Sequence, residues 1–135
     1  MAIDRRSEIT SNLQVVRDEI SKAVMGAGRS LDEITLIAVT KTFPASDVEI
    51  LRDLGVTDFG ENRDADAAPK AADVAGTWHF QGQIQSNKLK SITSWAHVIH
   101  SLDEIRHFEM IEKSAPHPLE IFCQVSLDGS EGRGG

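Results

Sequence analysis

Tyrosine is missing from this chain altogether, cysteine occurs once, and only 5% of the residues are aromatic. One cysteine, Cys123, rules out a disulfide within the chain. It sits in the apolar run Ile121-Phe122-Cys123-Gln124-Val125, where a free thiol is expected to pack as a small hydrophobe. No apolar run approaches the roughly 18 residues of a membrane span. The start, Met1-Ala2-Ile3-Asp4-Arg5-Arg6, lacks the apolar stretch of a secretory signal, so a cytoplasmic setting is expected. Positive charge is also short: 14 basic against 21 acidic residues give a formal charge of −7. That balance argues against nucleic acid, which normally needs a basic patch, and Lys88 with Lys90 is too small a cluster to supply one.

What remains is an ordinary globular composition, 40% hydrophobic and 26% charged, in a 135-residue chain of one-domain length. Ile9, Leu13, Val16, Ile20 and Val24 recur at three- and four-residue intervals, predicting a leading helix over 3–27 that ends at Gly26 and Gly28. The run Ile34-Thr35-Leu36-Ile37-Ala38-Val39-Thr40 predicts a strand covered on both faces. Further strands are expected near Val56, Thr77, Ala96 and Leu119, at intervals of about 20 to 22 residues typical of strand-plus-helix units. Ser46-Asp47-Val48-Glu49 and Ser101-Leu102-Asp103-Glu104 read as capping boxes opening two of the helices, and Ile105, Phe108 and Ile111 as an inward face. Ser86 or Asn87 is a candidate cap for the helix carrying Leu89 and Ile92; the Ala-rich stretch from Asn62 to Val74 reads as a helix interrupted by Pro69.

Alternating strands and helices imply a parallel sheet, either open and doubly wound or closed as a barrel. A (β/α)8 barrel has eight strands, whereas five are counted here, so a barrel reading makes this a little over half of one, with unpaired edges inviting oligomers. In either architecture ligands gather where the strands end. That rule selects Lys41, Glu61 and Asn62, His79 with the segment through Ser86, Asn87 and Lys88, His100 with Ser101, and Ser126 to Gly129 after strand five.

Among the six lysines, Lys41 alone follows directly on an apolar strand; Lys22, Lys70 and Lys113 are expected to face water from helices. Burial disfavours the charged amine, and a lysine so released can form a Schiff base with a carbonyl. Spacing alone favours the plainer alternative, a lysine that snorkels out of the strand end into water. Asn62 reads as a helix cap with Glu61 favouring the positive helix start, and His79 as a core residue or a pocket residue. His97 and His100, three apart on a strand, point to opposite faces, and no zinc-type arrangement is expected. His107 and His117 are expected to be solvated.

Three stretches together carry a family likeness: Leu36-Ile-Ala-Val-Thr-Lys41-Thr-Phe-Pro44, Asp58-Phe-Gly-Glu-Asn62 and Trp78-His-Phe-Gln-Gly82-Gln-Ile-Gln-Ser-Asn-Lys88. With His100-Ser-Leu-Asp103 and Gln124-Val-Ser-Leu127, the chain resembles the YggS/PROSC-type pyridoxal phosphate homeostasis proteins, whose fold is the barrel domain of alanine racemase. The resemblance implies a TIM (β/α)8 barrel of which residues 1–135 are the N-terminal portion. It implies a protein that holds pyridoxal phosphate as a Schiff base on Lys41 and passes it to cofactor-dependent apoenzymes, a carrier rather than a catalyst. Asn62 falls beside the cofactor ring, and His79, Ser86 and Asn87 fall within the third-strand signature. Arg63-Asp64-Ala65 departs from the aromatic residue and glutamine that many members carry there, and the family's phosphate loops lie in a C-terminal half. The alternatives are a racemase-like enzyme, which needs two positioned acid–base groups and would lack the tyrosine of alanine racemases, and a truncated barrel without activity.

Overall fold

A computed structural model describes residues 4–135. Helix α1, Arg5–Gly26, opens on Asp4, whose carboxylate accepts from the Ser7 N–H, and buries Leu13 and Val24. Residue 3, included in the predicted helix, lies outside the described residues. Four strand–helix units follow: β1 Ile37–Val39 and α2 Ala45–Asp53, β2 Asp58–Glu61 and α3 Asp64–Asp73, β3 Thr77–Phe80 and α4 Leu89–Trp95, β4 Val98–Leu102 and α5 Ile105–Ser114. Strand β5, Glu120–Cys123, is last, so each predicted strand lies within three residues of its expected start.

All neighbouring strands pair in parallel, in the order β1-β2-β3-β4-β5. Strand order therefore follows chain order, without the reversal that marks the switch point of a doubly wound sheet. Successive helices pack on one another, forming one layer. Phe59, Trp78, Phe80 and Ile99 meet Val48, Ala67, Leu89, Ile92 and Ile111 of the helices to form the core. The opposite face carries Asp58, His79, His100 and Phe122.

Several local expectations are corrected. The helix predicted from Ser46 begins at Ala45 after Pro44, and Asp47 instead pairs with Arg5 of α1. Ser101 and Leu102 belong to β4, so Ser101 caps nothing; its hydroxyl donates to the Gly82 carbonyl. Neither Ser86 nor Asn87 caps α4, which follows a short 3-10 turn over Ser86–Lys88. Helix α3 runs through Pro69 rather than breaking there. Among the described residues, the capping box is Ser30 with Glu33, in a 3-10 turn before β1. Strand β1 is not covered on both faces, since Val39 is 54% exposed. Ile105 faces water as well. Cys123 is exposed rather than packed, because β5 is a sheet edge.

Candidate functional site

The carboxyl ends of the strands bring the candidate residues to one rim. Strand β1 ends in a turn from Thr40 to Phe43, closed by the Phe43 N–H donating to the Thr40 carbonyl at 3.1 Å. Lys41 occupies the second position of that turn and Thr42 the third, with φ 70°. A β-branched residue in the left-handed region is an outlier, because its Cβ crowds the backbone there. Lys41 is exposed, as the lysine reaching into water that spacing alone favours would be, and the shielding that would disfavour its charge is absent in the described fold.

The turn is anchored from behind by a lysine that sequence reasoning assigned to water. Lys70 is buried: its Nζ lies 3.0 Å from the Thr40 carbonyl oxygen and 2.6 Å from Glu61 Oε1. Glu61, 1% exposed, thus serves an ion pair rather than a helix start. Asn62 is exposed, and α3 opens after Arg63 with no side-chain cap, so Asn62 does not cap it. A signal for Lys70 existed. Ala67, Lys70 and Val74 recur at helical spacing and all are buried, which places the lysine on the core face of α3.

The pairing Val39–Gly60–His79–Val98 fixes one row across four strands. Lys41, Asn62 and Gln81 lie two positions beyond that row, just past the ends of β1, β2 and β3, and His100 lies two beyond it within β4. Glycine shapes the rim at two points: a Cβ on Gly60 would strike the Gln81 side chain, and one on Gly82 would strike the Asn62 carbonyl. Asn62 also lines an open pocket of about 350 Å³ with Arg63, Gln83, Gln85 and Lys88.

His79 lies on the face away from the helices, with both ring nitrogens engaged. Nε2 is 2.7 Å from Asp58 Oδ2, and Nδ1 is 2.8 Å from His100 Nε2. Phe122 stacks on the His100 ring, with centroids 4.9 Å apart. Burial first, and then the neighbouring His79, hold the His100 imidazole below its usual range. His97 has different partners, the Trp78 N–H and the ring of His117, and burial is again the leading cause lowering its titration. His117 reaches the Ala96 carbonyl.

Ser86 bonds to His107 Nε2 at 3.0 Å, and His107 is buried rather than solvated as expected. Asn87 stands exposed on the same 3-10 turn. Asp103, Glu104 and His107 bring three ligand-type atoms within 4.8 Å of one another. Two of the groups are already engaged, because Glu104 Oε2 accepts from Arg106 and Asp103 Oδ2 from the Gly135 N–H.

No protein-family model matches the chain. Among curated proteins it is 37% identical, over 98% of its own length, to a pyridoxal phosphate homeostasis protein of Mycobacterium leprae. It is 35% identical, over 96% of its length, to the protein of that name from Escherichia coli K12. The chain spans about three-fifths of the length of these relatives, 60% and 59%. Among solved structures, an unknown protein from Bifidobacterium adolescentis matches with a TM-score of 0.84 at 28% identity, over 99% of this chain and 62% of that one. PipY of Synechococcus elongatus, solved without PLP, matches with a TM-score of 0.73 at 28% identity, over 85% of this chain and 57% of its own. PipY with PLP bound matches with a TM-score of 0.59 at 30% identity, over 69% of this chain and 46% of its own. By sequence and by fold, this chain is similar to the pyridoxal phosphate homeostasis proteins over about three-fifths of their length.

Proposed function

We propose that the protein binds pyridoxal phosphate covalently, as a Schiff base on Lys41, and serves intracellular cofactor homeostasis as a carrier in the cytoplasm. The observation that carries this reading is the position of Lys41: an exposed amine in a strained turn at the carboxyl end of the first strand, in a chain 37% identical to a protein named for pyridoxal phosphate homeostasis. When bound, the cofactor supplies an aldehyde that condenses with the lysine amine and releases water. The residues present fit such a group. Lys41 is exposed beyond the end of β1, and Asn62 and Gln81, just past the ends of β2 and β3, offer amide side chains for ring contacts. Gly60 and Gly82 keep the rim shallow. Asn62 is the residue we place beside the ring, with Ser86 and Asn87 on the neighbouring turn. His79 acts from beneath through His100.

Sequential strand order with one helix layer supports the further reading that residues 1–135 form part of a single alanine-racemase-like barrel. Its phosphate clamp would come from strands beyond β5. Cofactor-dependent apoenzymes are the acceptors the reading implies.

Borohydride reduction in the presence of pyridoxal phosphate, followed by peptide mass mapping, tests the attachment. The expected modified residue is Lys41, with the adduct abolished in Lys41→Ala. Modification spread over Lys88, Lys90 and Lys113 at equal yield would overturn it. Transfer of cofactor to an apoenzyme without amino-acid turnover is the result expected of a carrier; turnover lost on Lys41→Ala would make the protein an enzyme instead.

A further inference from the structure

Lys70 and Glu61 lie behind the Lys41 turn and reach no pocket at the rim. Lys70 is 9% exposed and Glu61 1%. The Lys70 ammonium donates to the Thr40 carbonyl, the same oxygen that accepts the turn-closing bond from the Phe43 N–H. The Thr40 N–H is in turn held by the Gly60 carbonyl at 2.9 Å. Thr40 is therefore pinned at both its N–H and its carbonyl, immediately before Lys41. Two residues on, Thr42 holds φ 70°, a conformation that persists only where the surroundings over-determine it.

The ion pair is not needed for burial alone, since a buried pair can often be replaced by apolar residues without loss of stability. This pair also leaves a polar atom unmet: Glu61 Oε2 is buried with no partner. What a charged Lys70 supplies, and an apolar residue cannot, is a strong donor to the Thr40 carbonyl.

We propose that Lys70 is a positioning residue for the cofactor lysine: its buried ammonium, oriented by Glu61, fixes the Thr40 carbonyl and so holds the strained turn that presents Lys41. This rests on the reading of Lys41 as the attachment point. Lys70 does not itself touch the cofactor.

The test uses Lys70→Met with Glu61→Gln, which removes both charges together, and Lys70→Arg, which keeps the ion pair but changes the reach of the donor. Two quantities are read: amide hydrogen exchange at Phe43 without cofactor, and the pyridoxal phosphate concentration that half-labels Lys41 under borohydride trapping. In the double variant both are expected to change by about tenfold, the equivalent of one charge-assisted hydrogen bond. Lys70→Arg is expected to fall between that variant and the native protein. Native values for both quantities in a folded double variant overturn the proposal. Should the double variant lack a cooperative unfolding transition, Lys70→Arg decides alone, and native values there overturn it. If the native protein is not labelled at Lys41, the cofactor reading fails, while exchange at Phe43 still reports whether Lys70 holds the turn.

Discussion

Asp58, His79 and His100 form a chain of hydrogen bonds whose proton positions follow from chemistry. Asp58 as a carboxylate can only accept, so His79 carries its proton on Nε2 and offers the lone pair of Nδ1 to the Nε2–H of His100. A neutral His100 satisfies this arrangement, in keeping with its lowered titration, caused first by burial and then by His79. The folded protein therefore takes up this proton at lower pH than the unfolded chain, whose histidine titrates near 6.5. The contribution of His100 to stability is full above that pH and is lost as pH falls below it. Thermal unfolding followed between roughly pH 5 and 8 is expected to show a midpoint that drops on the acid side. His100→Gln should flatten that drop, and an unchanged slope would assign it elsewhere, His97 being the other imidazole with a lowered titration. At this scale the sequence was informative about position, since Lys41, following an apolar run, stands exposed just past a strand end. It was misleading for Lys70, where alanines and a proline masked the buried stripe, and for His107, whose partner Ser86 is 21 positions away.

Helix α3 shows how an element overrides a local rule. Pro69 lacks the N–H that would bond to the Ala65 carbonyl, yet the helix continues to Asp73. Its first turn is fastened from outside, because Asp64 accepts from Ser91 at 2.8 Å and from the Trp95 indole at 2.7 Å, tying α3 to α4. Pro69→Ala should stabilise the protein by about 1 to 3 kcal/mol, the restored helix bond offset in part by a freer unfolded chain. Asp64→Ala should destabilise it by about 1 to 3 kcal/mol, since the Trp95 N–H loses its acceptor where the side chain is buried. Chemical denaturation of both variants checks these signs. The two serine-to-glutamate patterns that resembled capping boxes failed for a related reason. Asp47 is drawn into an ion pair with Arg5, 42 positions away, and Ser101 is held in a strand ladder. Helix stops were more legible, because they are local: Gly55, at φ 94°, closes α2 with the Val56 N–H reaching back to the Leu51 carbonyl.

Across the whole molecule, the strand count and order follow from a repeat of about 20 residues, which the sequence displays openly. Burial at the margins is another matter, since it depends on what lies next to the first and last strands. Val39 and Phe122, on β1 and β5, are 54% and 55% exposed. Unpaired parallel edges bearing apolar side chains favour association. Sedimentation of the 135-residue chain should show concentration-dependent self-association, reduced in Val39→Lys combined with Phe122→Lys; a monomer at all concentrations would count against it. Cys123 lies on one of those edges and is the only thiol in the chain. Its alkylation rate is therefore a built-in gauge of that margin: rapid labelling reports bare backbone, and protection reports another segment laid alongside it.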